Sequence, residues 1–417
     1  MVSRVAAVNK HFAKDTSYNG GSVGPKRDDD VVIIGMARTA MTRAKKGPQR
    51  DTGLEAMLKP CLEAVAAQSG IDKGLVEDIV IGNVLNPGSA ATNARMAMFM
   101  AGYPETTCVQ AINRLCSSGL QSVATVANAI RAGNISIGIG GGFESMSNAN
   151  MMDQVNPNLL GDEVFENEKA NNCLMPMGIT SENVAAEFGV DRATQDALAE
   201  SSHKKAAAAM KAGLLQAEIT PYDTIMKGKD GEETKVRVDK DDGVRPTTTA
   251  AGLAKLKPAF QKGGSTTAGN SSQVTDGASC ILLARRDVAN KLGCKIIGRI
   301  VSFATAGVPP KIMGIGPAFA IPAALEKCGL TIDDIDIFEV NEAFASQATY
   351  CVQKLGIPAA KLNPKGGAIA LGHPLGMTGS RMICTLMSEL ERTQKRFGIV
   401  SMCIGTGMGA CGVFERE

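Results

Sequence analysis

Val76-Glu77-Asp78-Ile79-Val80-Ile81-Gly82-Asn83 is a short apolar run that ends in a polar turn. Ile332-Asp333-Asp334-Ile335-Asp336-Ile337-Phe338-Glu339-Val340-Asn341 repeats it in the last third of the chain. A Gly precedes each copy, in Gly70-Ile71 and Gly329-Leu330, and an Asn closes each. Runs of this length, rich in Ile and Val and bounded by turn residues, read as buried strands. After each copy the same parts follow in the same order. Asn113 to Gly119 opens a helix in one half and Asn363 to Gly379 opens one in the other. Ile137 to Gly142 and Val400 to Gly409 are then apolar strands entering glycine turns. Fixed order at two places in one chain is the mark of an internal duplication. It predicts two similar α/β halves, each offering a helix start and a glycine-rich strand end.

The elements around these copies fit that frame. Val31-Val32-Ile33-Ile34 reads as a strand. Residues 53–69 place Leu54, Met57, Leu58, Cys61, Leu62 and Val65 at helical spacing, and residues 117–132 do the same with Leu120, Val123, Ala124, Ala127 and Ile130, with Gly133 as the stop. Strands alternating with helices predict an α/β fold with largely parallel strands. Residues 181–212 read as one helix, and the doubly charged stretch 226–245 as a solvated excursion. We therefore expect a tail and linker over 1–27, one half over 28–149 and 267–293, an inserted loop domain over 150–266, and a second half over 294–417.

Composition narrows the function. Of 417 residues, 44% are hydrophobic and 21% charged, with 44 basic and 42 acidic side chains. That is a globular balance without the basic surplus that nucleic acid or an anionic membrane requires. No apolar run reaches the length of a membrane span. The eleven cysteines include no C-x-x-C pair and the three histidines fit no zinc spacing, so neither a disulfide framework nor a metal site is expected. Most of these cysteines read as small buried hydrophobes.

Four constellations carry chemistry. In Asn113-Arg114-Leu115-Cys116-Ser117-Ser118-Gly119, a cysteine sits where a loop gives way to a helix, whose free N–H groups favour thiolate. In Gly366-Gly367-Ala368-Ile369-Ala370-Leu371-Gly372-His373-Pro374-Leu375-Gly376, a histidine flanked by glycines precedes a proline suited to the first position of a helix, where a neutral imidazole is favoured and can accept a thiol proton. Cys403-Ile404-Gly405-Thr406-Gly407 puts a cysteine before a turn in which Gly405 can expose its N–H as an oxyanion donor. Asn341-Glu342-Ala343-Phe344 follows a strand, and Asn341 there either caps a helix or holds a water.

Together these blocks resemble the thiolases, in family order and spacing, from about residue 30 to the C-terminus. The degradative 3-ketoacyl-CoA branch is the most similar, on the block Cys173-Leu174-Met175-Pro176-Met177-Gly178-Ile179-Thr180, since acetoacetyl-CoA-specific members tend to carry His where Met177 stands. Met377 departs from the smaller residue usual in relatives. The resemblance implies a thiolase-like fold of two βαβαβ halves in α/β/α/β/α layers. It also implies Cys116 as nucleophile, His373 as its base, Cys403 as acid and base, and Asn341 and Gly405 in oxyanion holes. Ser272 and Arg245 match positions that contact CoA. It implies no metal or organic cofactor, CoA as substrate, and a homodimer. The spacing Arg4-Val5, five residues, His11-Phe12 resembles a type-2 peroxisomal targeting signal read by an import receptor; an acid-poor mitochondrial presequence is the alternative. A ketoacyl synthase lacks the second cysteine, and non-catalytic CoA- or lipid-binding relatives tend to lose the Asn-Glu-Ala-Phe block.

Overall fold

The computed structural model describes residues 23–417, so the Arg4 to Phe12 motif lies outside the described residues. Five strands come from the first part of the chain: β1 (Val31–Arg38), the short β2 (Thr42–Arg43), β3 (Asp78–Gly82), β4 (Cys108–Ile112) and β5 (Ile137–Ser145). β6 (Tyr222–Lys227) and β7 (Glu233–Val238) form a separate two-stranded sheet. β8 (Thr275–Arg285), β9 (Gly298–Gly307), β10 (Ile337–Val340), β11 (Phe397–Ile404) and β12 (Met408–Arg416) complete the set. The longer helices are α1 (Leu54–Ser69), α2 (Ala91–Met100), α3 (Ser118–Arg131), α4 (Met177–Phe188), α5 (Arg192–Lys211), α6 (Gly316–Glu326), α7 (Ala345–Leu355) and α8 (Thr378–Thr393).

The hydrogen-bonded order β4-β3-β5-β8-β1 is mirrored by β10-β11-β12-β9, and a two-residue pairing of β1 with β9 joins the two runs. Leu362, bridged in parallel to Phe338, stands where the second run lacks a counterpart of β4. Parallel pairing occurs only toward the outside, in β3–β4, β3–β5 and β10–β11; every pair from β5 inward to β11 is antiparallel. The expectation of a largely parallel sheet is corrected accordingly. Apart from β9, these inner strands are buried on both faces, and such strands carry no alternation that reveals pairing direction.

Apolar periodicity sets the layers. α1 and α2 bury Met57, Leu58, Leu62, Ala94 and Met98 against the outer face of the first run. α6 buries Ala320, Ile321, Ala324 and Leu325 against the outer face of the second. Between the runs lie α3 and α8, sharing one core of Leu120, Val123, Val126, Met382, Ile383, Leu386 and Leu390 with strand residues of both. α8 is buried nearly all round, as a central helix must be.

The seam between the halves is bare backbone. A Cβ on Gly142 would overlap the Gly376 carbonyl oxygen, and one on Gly119 would lie 2.6 Å from the same atom. Only glycine permits this approach, so these positions set the distance between the two helix starts.

Three local readings change. Residues 181–212 are two helices, because Gly189 adopts φ 68° and Asp191 caps the second by accepting from Thr194 N–H at 2.8 Å. Within 226–245, residues 233–238 form β7, and Asp241 is buried against the Arg38 guanidinium at 2.9 and 3.0 Å. α8 begins at Thr378; Pro374 opens the turn that leads into it, its carbonyl accepting from Met377 N–H and Thr378 N–H. No helix among the described residues is long and apolar enough to cross a membrane.

Candidate active site

Each half sends a loop to the seam. From β4, Asn113 turns the chain by accepting from Leu115 N–H at 2.8 Å while its amide donates to Val84 O at 3.1 Å. Ser118 accepts from Arg114 N–H at 2.9 Å. The tight loop forces Leu115 to φ 47°, strained for a branched side chain, immediately before Cys116. The Cys116 side chain packs against Val84, Leu85, Met146 and Leu375. Its sulfur receives the backbone N–H of Gly405 and its own N–H, yet burial outweighs both and pushes the thiol up to about 11. The helix start therefore does not leave a resting thiolate: desolvation wins over the amides, and the thiol needs a base.

His373 supplies a neutral imidazole. Its backbone N–H donates to Gln273 O at 2.9 Å, Nδ1 lies 2.6 Å from Thr378 Oγ1, and Nε2 lies 3.3 Å from Asn341 Nδ2. Burial first, then the nearby Arg381 guanidinium, pushes it down to about 3. Asn341 leaves the end of β10 with its N–H donating to Ser401 O on β11 at 2.9 Å. Its Oδ1 is buried and has no hydrogen-bond partner among the described residues. Beside it Cys403, Met313 and Ala343 form an apolar cluster edged by Met177 and Phe344. Burial, then the neighbouring Cys116, holds the Cys403 thiol well above its ordinary range. Both thiols are thus protonated at rest, each raised first by burial. After β11, Thr406 (φ 65°) and Gly407 (φ 93°) turn the chain so that Gly405 N–H meets Cys116.

The other expected residues are placed less uniformly. Met177 starts α4, half-buried, and its sulfur lies 3.6 Å from where a Gly405 Cβ would stand. Ser272 donates its backbone N–H to Ala343 O at 2.9 Å, on the Asn-Glu-Ala-Phe loop. Arg245 is exposed, and its backbone N–H donates to His203 Nδ1 at 3.2 Å. Met377 packs away from the centre, in a core with Met41, Leu371 and Ala370.

Three supporting residues carry no role in the motif reading, and two of them, Glu144 and Gln273, lie outside the motifs. Glu144, near the end of β5, accepts from Asn83 Nδ2, Val84 N–H, Leu85 N–H and Gly376 N–H between 2.9 and 3.2 Å. It ties the Cys116 neighbourhood to the His373 loop. Glu342 does the same on the far side, accepting from Ser202 Oγ, Asn363 Nδ2 and Ile369 N–H. Gln273 Nε2 donates to Gly243 O, Ile369 O and Ala370 O, clamping the turn before His373. An acid ending a glycine-rich apolar strand was the one visible signal, in Glu144.

The comparisons with known proteins agree with this frame. The thiolase N-terminal domain matches residues 31–287 and the thiolase C-terminal domain residues 294–416. The chain belongs to the thiolase family. Among curated thiolases, it is 56% identical to the peroxisomal 3-ketoacyl-CoA thiolase B of Rattus norvegicus over 387 residues, 93% of this chain and 91% of that protein. It is 54% identical to the peroxisomal 3-ketoacyl-CoA thiolase of Homo sapiens over the same shares. Among solved thiolases, it matches the dimeric peroxisomal thiolase of Saccharomyces cerevisiae at 47% identity and a TM-score of 0.86, covering 95% of this chain and 99% of that one. Human mitochondrial 3-ketoacyl-CoA thiolase matches at 34% and 0.83, covering 93% and 99%.

Proposed function

We propose that this thiolase cleaves 3-ketoacyl-CoA with CoA, in the peroxisome, to give acetyl-CoA and an acyl-CoA shortened by two carbons, the closing step of fatty acid β-oxidation. The reading is supported by two neighbouring protonated thiols, Cys116 and Cys403, the Gly405 N–H at Cys116, and a neutral His373 ring against Asn341. Carbon–carbon cleavage needs a nucleophile and a separate acid, and the proposal assigns these roles to Cys116 and Cys403.

His373 Nε2 takes the Cys116 proton as sulfur attacks the C3 carbonyl. The C3 oxyanion and the thioester enolate oxygen call on separate donors. Protonated His373 with a water held by Asn341 serves one, and the N–H groups of Cys116 and Gly405 serve the other. The C2–C3 bond breaks, its electron pair passes to the enolate, and Cys403 S–H protonates C2. Acetyl-CoA leaves and the acyl group stays on Cys116. Incoming CoA gives its proton to the Cys403 thiolate, its sulfur attacks the acyl carbon, and Cys116 departs and recovers the proton from His373. The sequence is ping-pong and calls for no metal or organic prosthetic group.

Ser272 and Arg245 are proposed CoA contacts. Ser272 is tied to the Ala343 loop beside the thiols, while Arg245 is exposed on the segment that Gly243 links to Gln273. The division at 28–149 with 267–293, 150–266 and 294–417 remains the proposed domain organisation. A homodimer and recognition of residues 4–12 by an import receptor complete the proposal.

An acetoacetyl-CoA-specific enzyme is the second reading. Met177, apolar and beside Gly405, favours longer acyl chains. Thiolysis of a 3-ketoacyl-CoA series from short to long tests the choice: turnover extending to medium and long chains supports the proposal, and turnover confined to acetoacetyl-CoA overturns it.

A further inference from the structure

A base that takes a proton from Cys116 must present a bare nitrogen. A neutral imidazole has one N–H and one lone pair, and what surrounds the ring decides which nitrogen carries which. We infer that Thr378 is a positioning residue that holds His373 in the Nδ1–H tautomer and so leaves Nε2 unprotonated, its lone pair accepting from Asn341 Nδ2–H at rest and able to take the Cys116 proton when that contact gives way. This rests on the reading of Cys116 and His373 given above.

The hydroxyl of Thr378 has a single proton and two close neighbours. Oγ1 lies 2.9 Å from Pro374 O and 2.6 Å from His373 Nδ1. Pro374 O offers lone pairs only, so the hydroxyl proton goes there. Oγ1 then meets Nδ1 with a lone pair, and the proton of that contact belongs to the ring. The opposite assignment sends the hydroxyl proton to Nδ1 and puts the ring proton on Nε2. That sets an N–H against the Asn341 Nδ2 amide at 3.3 Å, donor facing donor, in a buried place. With the Asn341 amide turned Nδ2 toward the ring, as the structure has it, the first assignment alone satisfies both ends: Nδ1–H to Oγ1, Oγ1–H to Pro374 O, and Asn341 Nδ2–H to Nε2.

Sequence and fold make the device rigid. Thr378 is the first residue of α8, four residues beyond Pro374, where a threonine hydroxyl reaches back to a carbonyl. Its β-branch restricts χ1, and the residue is fully buried, so water cannot replace the hydroxyl. The turn that carries His373 thus folds back and orients its own ring.

Two measurements test this. The chain has three histidines, so 15N spectra of histidine-labelled protein, with His373→Asn for assignment, read the tautomer directly. Expected is a protonated Nδ1 and a bare Nε2 in the unliganded wild type; a protonated Nε2 overturns the inference without bearing on whether the enzyme is a thiolase. Acyl-enzyme formation from acetyl-CoA, quenched and read by mass spectrometry, is the second. Thr378→Val should slow it on the order of ten- to a hundredfold, with KM little changed, and Thr378→Ser should restore it to within a few-fold. Equal rates in the Val and Ser variants overturn the positioning role. Acyl-enzyme persisting in Cys116→Ser would instead sink the proposed function and leave the tautomer assignment standing.

Discussion

The two halves run the same frame to different ends. Asn83 follows β3 and Asn341 follows β10, at matching places, yet their amides do different work. Asn83 Nδ2 donates to Glu144 at 2.9 Å, while Asn341 Nδ2 meets the ring of His373 at 3.3 Å. The loop before α3 presents Cys116 and the loop before α8 presents His373. The end of β5 holds Glu144, a carboxylate gripping four N–H groups; the end of β11 holds Cys403. The repeated frame supplies two helix starts and two strand ends at a glycine seam. In the proposed mechanism one half keeps hydrogen-bonded scaffolding around a single nucleophile, and the other provides the acid, the base and the polarising amide.

The comparison breaks most directly at the sulfurs. Cys116→Ser should lower thiolysis on the order of 10⁴-fold or more, since removing the nucleophile of a cooperative set disables all of it; steady-state rates and acyl-enzyme trapping check this. Cys403→Ala should cost on the order of 10³-fold in carbon–carbon cleavage while still accepting an acyl group from a simple thioester. Normal thiolysis in that variant would return Cys403 to the packing role of the other buried cysteines.

The paired asparagines sharpen it further. Asn341→Ala should lower kcat on the order of 10²-fold with little change in denaturation midpoint. Asn83→Ala should do the reverse, costing about 1–3 kcal/mol for the donor lost from a buried carboxylate and leaving kcat within a few-fold. Equal losses of activity in both variants would mean the halves are less specialised than their contacts indicate.

The last effect concerns pH and touches stability alone. His373 titrates near 3 in the folded chain, because burial and then Arg381 disfavour its charge, and near its ordinary 6.5 when unfolded. Between those values the unfolded chain binds the extra proton, so stability falls as pH drops below 6.5 and the loss is complete near 3. The slope from this one group reaches at most about 1.4 kcal/mol per pH unit. His373→Asn should flatten that part of a urea-midpoint profile, and an unchanged profile would contradict a buried neutral ring.

Much of this was readable before any coordinates. Cys116, His373, Cys403 and Asn341 announce themselves because each pairs a reactive group with glycine or a helix start. The layers follow from apolar spacing in α1, α3 and α8. Pairing direction was not readable, since β8, β11 and β12 are buried on both faces and lack alternation. Nor was Asp241, one buried acid within a charge-rich run, whose partner Arg38 lies 203 residues away. Glu144 and Gln273 act through backbone groups of loops distant in sequence, and no local pattern marks such a partner. Thr378 carries no signal in the sequence, because its meaning depends on where one hydroxyl proton goes.

The glycine seam has a consequence for a chain still being made. Cys116 leaves the ribosome long before His373, Cys403 and Gly405, and the contacts at Gly142 and Gly119 wait for Gly376 to arrive. Until the C-terminal segment docks, Cys116 lacks both the Gly405 N–H and the packing of Leu375. Synthesis order thus delays assembly of the site until the last strands of the chain are present.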